Sequence, residues 1–89
     1  VPIAVYQVEI GDKAKKRLSR LPAKHRRQVL EHILALKINP RPANSVKLEV
    51  LDGYRIACGE YRVAYTVSDE LKLVRVYLVF QRGEGYPET

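Results

Sequence analysis

At 89 residues the chain is sized for one domain, expected to span 1–89, with a core of limited extent. Hydrophobic residues at 46% and charged residues at 29% exclude disorder throughout, the lone Cys58 excludes an internal disulfide, and no apolar run reaches the length of a membrane span. A net charge of +6 and a pI near 9.7 favour polyanions as partners, and the absence of cystines and of a secretory pattern fits a reducing, cytoplasmic setting.

Residues 2–10 are rich in β-formers and predict a first strand, with Tyr6, Val8 and Ile10 as its buried set. Asp12 suits an N-cap, and Ala14, Leu18 and Leu21 recur at helical spacing, so a short helix is expected over 13–20. Pro22 suits the first position of a second helix, where its missing amide hydrogen costs nothing. That helix carries Val29, Leu30, Ile33, Leu34 and Leu36 toward the core and is expected to run to Lys37. From Lys13 to Arg27 the two helices hold eight basic residues and no acidic one, a field suited to a polyanion, although such runs also serve solubility. Asn39-Pro40-Arg41-Pro42 then breaks the helix, and a loop is expected to about Ser45.

After an ambiguous alternation over 46–51 and the Asp52-Gly53 turn comes a hairpin whose register can be written down. Gly59-Glu60 is a Gly-first pair suited to a two-residue type II′ turn, which sets Cys58 opposite Tyr61, Ala57 opposite Arg62, Ile56 opposite Val63 and Arg55 opposite Ala64. Alternation then puts Tyr54, Ile56, Cys58, Tyr61, Val63 and Tyr65 on a core face, and Arg55, Ala57, Arg62 and Ala64 on the other. Ser68-Asp69-Glu70 marks a further turn, and 73–81 predicts a last strand with Val74, Val76, Leu78 and Phe80 on one face, before a glycine-diluted tail. The layout is α+β, in the order β-α-α-β-β-β: an N-terminal strand, a helical hairpin and an antiparallel meander, with the helices on one sheet face.

Common catalytic sites are missing from this pattern. The glycines lack the spacing of a phosphate loop, no serine has an activating context, and His25, His32 and Cys58 lack zinc spacing, so no metal is expected and both histidines are expected to be solvent-exposed. What remains is Arg55, Arg62, Arg82 and Tyr86. Clustered guanidiniums repel one another unless an anion sits among them, and a phosphodiester matches their fork geometry. Metal-free phosphoryl chemistry uses such cations to stabilise charge on the non-bridging oxygens, and cations around Tyr86 would favour its phenolate as a base. The competing assignment pairs Arg55 and Arg62 with carboxylates and packs Tyr86 on the sheet edge.

Tyr54-Arg55-Ile56-Ala57-Cys58-Gly59-Glu60-Tyr61-Arg62-Val63-Ala64-Tyr65 is similar to the "YRIRxGdYRvxY" signature of the RelE/ParE superfamily of toxins encoded beside antitoxins. The upstream helical hairpin, Lys47-Leu48, and a final strand followed by Arg82 and then Tyr86 extend the resemblance over nearly the whole chain. It implies a RelE-like microbial RNase fold. It further implies a ribosome-dependent endoribonuclease that cuts mRNA in the ribosomal A site by attack of a 2′-hydroxyl on the adjacent phosphate, with no metal or cofactor. On that resemblance Arg55 and Arg62 hold the scissile phosphate, Arg82 acts as acid or stabilises the leaving group, and Tyr86 orients the nucleotide or assists as base. Lys13, Lys16, Arg17, Arg20, Lys24, Arg26 and Arg27 would contact ribosomal RNA, and a cognate antitoxin would block the toxin. Ala57 departs from the pattern, since many RelE-like members carry a second Lys or Arg there. The departure leaves open a ParE-like inhibitor of DNA gyrase on the same scaffold.

Overall fold

The computed structural model describes residues 5–48 and 53–83. In chain order the elements are β1 (Gln7–Ile10), α1 (Asp12–Arg20), α2 (Ala23–Ala35), β2 (Val46–Lys47), β3 (Tyr54–Cys58), β4 (Tyr61–Ser68) and β5 (Leu73–Gln81). They build one sheet in the order β1-β5-β4-β3-β2. β1 lies parallel to β5, while β2 to β5 pair antiparallel with their neighbours, so the sheet is mixed. The helical hairpin carries the chain from one edge of the sheet to the other and covers one face on the way. Ala14 and Leu18 of α1, and Val29, Ile33 and Leu36 of α2 and its end, bury against Ile56, Cys58, Val63, Tyr65, Val74, Val76 and Val79.

The hairpin register is the one read from the sequence, from Tyr54 opposite Tyr65 to Cys58 opposite Tyr61. Gly59 has φ +65° while Glu60 is not among the residues of positive φ, which is the signature of a Gly-first type II′ turn. Several local expectations change. Gly11, not Asp12, occupies the N-cap of α1, and Asp12 lies in the first turn, where its charge suits the helix dipole. Pro22 is the N-cap of α2 rather than its first residue, and the regular helix stops at Ala35. Leu34 is exposed, at 53%, because it lies on the far side of α2 from Val29 and Leu36. Of the strand expected over 2–10, Gln7–Ile10 is regular, and residues 1–4 lie outside the described part.

The largest correction concerns β5. Ala64 faces Leu78 but Tyr65 faces Val76, so Tyr77 is an extra residue, a β-bulge. Beyond it the alternation inverts. Val79 takes the helix side with Val74 and Val76, whereas Leu78 and Phe80 turn to the opposite face, where they form a second buried cluster with Ala64.

A polar tie holds the end of the sheet where the chain leaves α2. The Tyr65 hydroxyl donates to the Pro40 carbonyl at 2.8 Å. Next door, Arg41 donates from Nε to the Tyr54 hydroxyl at 3.0 Å and from Nη1 and Nη2 to Asp69 at 3.1 and 3.0 Å. The Tyr6 hydroxyl donates to Asp69 Oδ1 at 2.6 Å. Three segments distant in sequence thus share one carboxylate. The bonds from Arg41 first, and from Tyr6, hold the Asp69 carboxyl down to about 2, and Asp69 in turn raises the Tyr6 phenol.

Two outcomes follow. Since the folded carboxyl of Asp69 lies below its unfolded value, its stabilisation is complete above about pH 4 and drains away as pH falls toward 2. The Tm advantage of wild type over Asp69→Asn should therefore shrink across that interval, in scans from pH 6 down to pH 2; a pH-independent difference would refute the tie. Gly53 has φ +114°, and a Cβ there would lie 2.2 Å from the Tyr65 carbonyl oxygen, whereas one at Gly83, φ +86°, would meet nothing within 4 Å. Gly53→Ala is expected to cost about 2 to 4 kcal/mol by urea unfolding and Gly83→Ala about 1 kcal/mol.

Candidate nucleic-acid site

The face of the sheet away from the helices gathers the sequence-selected arginines. Arg55 stands opposite Ala64, and Ala64 opposite Leu78; Ala57 stands opposite Arg62, and Arg62 opposite Phe80. Arg62 is thus one strand over and two residues along from Arg55, a diagonal step of about 7 to 8 Å between Cα atoms. The ladder continues past β5, where the Arg82 amide donates to the Glu60 carbonyl at 2.7 Å. Two residues beyond Phe80, Arg82 takes the next diagonal position. Arg55, Arg62 and Arg82 therefore run as one line of cations across β3, β4 and the end of β5. Tyr86 lies outside the described residues.

Arg62 sits at the middle of that line and shows how its guanidinium is held. Its Nη1 donates to the Gly59 carbonyl at 2.9 Å and to the Tyr61 carbonyl at 3.0 Å, so the turn that fixes the register also positions the head group. Neither partner is charged. Among the described residues Arg62 pairs with no carboxylate, and its other nitrogens keep their donors for a ligand. Below the line, Ala64, Leu78 and Phe80 are buried, with Leu48 and Tyr77 packed on them. This apolar floor was missed because strict alternation along β5 sends Leu78 and Phe80 to the helix side. A signal was available: Tyr77-Leu78-Val79-Phe80 is continuously apolar, as expected where both faces of a strand are covered. A floor of low polarisability strengthens the pull of cations on an anion above it.

On the other side of the strand, Cys58 is buried, and desolvation pushes its thiol up to about 12 despite the nearby charge of Arg62. A neutral thiol in the core is no nucleophile. The histidines are not solvent-exposed as expected. His25 is half-buried, its ring 5.4 Å from that of Tyr61, and its Nδ1 is buried without a hydrogen-bond partner; His32 is half-buried, with Nδ1 2.9 Å from the Gln28 carbonyl. Among the described residues no three His, Cys, Asp or Glu side chains gather as metal ligands, and no helix is long and apolar enough to cross a membrane.

The basic helices occupy the opposite layer. Lys13, Lys16, Arg20, Lys24 and Arg27 are exposed, while Arg17 and Arg26 are half-buried. Arg26 reaches back across the break between helices to the Ser19 carbonyl at 3.5 Å. The sheet stands between this field and the arginine line, so the two sets lie on separate surfaces.

Comparison with known proteins places this geometry in context. A family model described as the ParE toxin of the type II toxin-antitoxin system parDE matches residues 8–86. The putative toxin RelE1 of Methanocaldococcus jannaschii is 29% identical over 85 residues, covering 91% of this chain and 94% of its own. Among solved structures, the archaeal RelE-RelB complex from Pyrococcus horikoshii OT3 contains a chain 33% identical with a TM-score of 0.81, the match covering 91% of this chain and 99% of that one. The toxin-antitoxin complex RelBE2 from Mycobacterium tuberculosis contains one 27% identical with a TM-score of 0.78, covering 88% of this chain and 99% of that one.

Because the arginines project from the sheet away from the main core, their removal should spare the fold. Arg82→Ala is expected to unfold within about 0.5 kcal/mol of wild type, and Arg62→Ala within about 1 kcal/mol, the worth of its hydrogen bonds to backbone. Urea titration followed by circular dichroism checks both, and a loss above about 3 kcal/mol would mean that either arginine is structural.

Proposed function

The chain belongs to the ParE toxin family of type II toxin-antitoxin systems and is a RelE-like toxin, and on that premise we propose that it is a ribosome-dependent mRNA endoribonuclease acting in the A site. The observation that carries the proposal is the diagonal of Arg55, Arg62 and Arg82 over an apolar floor. In the proposed reaction a ribose 2′-hydroxyl attacks the adjacent phosphorus, the O2′–P bond forms and the P–O5′ bond breaks. The products are a 2′,3′-cyclic phosphate and a free 5′-hydroxyl. Arg62, its head group aimed by the turn carbonyls, supports the charge that grows on the non-bridging oxygens, and Arg55 shares that load. Arg82 stabilises the departing 5′-oxygen. Tyr86 completes the proposed site as the group that orients the nucleotide or accepts the 2′-proton.

Lys13, Lys16, Arg17, Arg20, Lys24, Arg26 and Arg27 are the proposed contacts to ribosomal RNA. Their placement behind the sheet lets the domain be gripped from one side while the arginine line faces the message. Ribosomes put the proposed activity in the cytoplasm. A cognate antitoxin is the proposed protein partner, since the solved relatives include RelE-RelB complexes. Two observations favour a second proposal, inhibition of DNA gyrase: the matching family model is described for parDE, and Ala57 leaves no cation opposite Arg62.

Primer extension on ribosomes halted with an empty A site separates these proposals. Wild type should cut within the A-site codon, leave naked RNA intact in EDTA, and lose about 10² to 10³ in rate with Arg62→Ala or Arg82→Ala. Undiminished cutting by both variants would overturn the site assignment. Folded wild type that cuts nothing but blocks gyrase supercoiling would establish the second proposal.

A further inference from the structure

Three successive carbonyls of the β3–β4 turn hold two members of the arginine line. Gly59 and Tyr61 accept from Arg62 Nη1 at 2.9 and 3.0 Å, and Glu60 between them accepts from the Arg82 amide at 2.7 Å. One guanidinium is thus fixed directly, and the backbone that carries another is fixed beside it. Helix α2 meets the same short segment from the opposite side. A Cβ built on Gly59 would come within 3.0 Å of Gln28 Oε1, 3.1 Å of Nε2 and 3.3 Å of Cδ, so the Gln28 amide fills the space that any other residue's side chain would take. His25 sets its ring 5.4 Å from that of Tyr61, tilted by 58°.

His25 and Gln28 are three residues apart and therefore neighbours on one face of α2. His25 keeps its place although its Nδ1 is buried with no hydrogen-bond partner among the described residues, a loss that its packing on Tyr61 offsets. Gly59, at φ +65°, takes the left-handed conformation of the turn, and its peptide plane sets the direction of the carbonyl that Arg62 uses. A contact that steadies this plane also steadies the guanidinium bonded to it. The Gln28 amide is that contact at Gly59, and the His25 ring is its counterpart at Tyr61.

We propose that Gln28 and His25 are positioning residues of the arginine line: through Gly59 and Tyr61 they set where the Arg62 head group points. Both act from the helix side of the sheet, and the line lies on the other, so neither touches a ligand bound there. A guanidinium aimed in advance meets the charge growing on a phosphate oxygen without first being ordered, so freeing it costs rate more than binding. That consequence for rate rests on the nuclease proposal; the consequence for Arg62 itself does not.

The test observes the arginine side chains of the full chain, labelled with nitrogen-15, by NMR at low temperature. A free guanidinium rotates about Nε–Cζ and averages its two Nη groups, whereas one held at Nη1 keeps them apart. Wild type should show separate Nη signals for Arg62, identified by their loss in Arg62→Lys. Gln28→Ala and His25→Leu should merge them, and His25→Phe, which keeps a ring against Tyr61, should leave them separate. Urea unfolding checks that each variant is folded. Separate Arg62 signals in folded Gln28→Ala and His25→Leu would overturn the proposal, as would merged signals in wild type. On ribosomes, Gln28→Ala should cut about 10- to 10²-fold more slowly at saturation with an unchanged half-saturating concentration, and should slow Arg62→Ala no further. An equal further loss in Arg62→Ala would overturn the assignment of Gln28 to Arg62. Folded wild type that cuts nothing would end the nuclease proposal alone, because the Arg62 signals decide this one without a ribosome.

Discussion

The two-residue turn at Gly59-Glu60 is the constraint on which the candidate site depends. With no spare residue in the loop, the pairing of β3 with β4 has one register, and a slip by one residue would exchange the arginine face for the core face. Cys58 and Tyr61 would then be pushed toward solvent, and Arg55 and Arg62 into the layer now filled by Val29 and Ile33. Burial of Ile56, Cys58, Val63 and Tyr65 therefore fixes the spacing of the guanidiniums as firmly as it fixes the fold. The turn acts a second time through its carbonyl groups. Gly59 and Tyr61 both accept from Arg62 Nη1, so one short segment sets where the cation stands and which way its head points.

The bulge at Tyr77 resolves a conflict between two demands on β5. Near β1 this strand must bury Val74 and Val76 beneath the helices, with Arg75 turned outward, where it meets Glu9 at 3.2 Å. Near the turn it must also supply an apolar floor on the outward side, and strict alternation cannot place Val79 inward and Phe80 outward in phase with Val76. One extra residue corrects the phase. The consequence is electrostatic: cations above Leu78 and Phe80 interact with an anion through less polarisable surroundings than they would on a bare, hydrated sheet. In the proposed site, the arginine line would therefore act most strongly when a ligand excludes water from it.

What could be read from the sequence divides along physical lines. Features set by neighbours in the chain were legible: the turn type at Gly59, the register of β3 on β4 and the helical break at Leu21-Pro22. Features set by contacts between distant segments were not. The parallel pairing of β1 with β5, the phase change at Tyr77, the exposure of Leu34 and the sharing of Asp69 by Tyr6 and Arg41 arise only when the layers assemble. The site was legible to the extent that it follows the hairpin. Arg55 and Arg62 came from alternation, whereas the floor beneath them needed the bulge.

Ala57 carries the chemical argument to its sharpest point. It faces Arg62 and is exposed, and among the described residues β2 pairs with Tyr54 and Arg55 and not with the rest of β3. A long cation at that position would reach the space between Arg55 and Arg62; a methyl group leaves that space to the ligand. In phosphoryl transfer one missing donor is worth about 10² to 10³ in rate, or about 3 to 4 kcal/mol. The chain recovers none of this by moving Arg55, whose place is fixed by the pairing with Ala64. What it gains is closeness, since a ribose-phosphate backbone can approach β3 more nearly over an alanine than over a lysine. On the proposed nuclease reading, the alanine shifts the site from charge toward fit, and a site that depends on fit relies on its substrate being held in place by something else, as a message is on a ribosome.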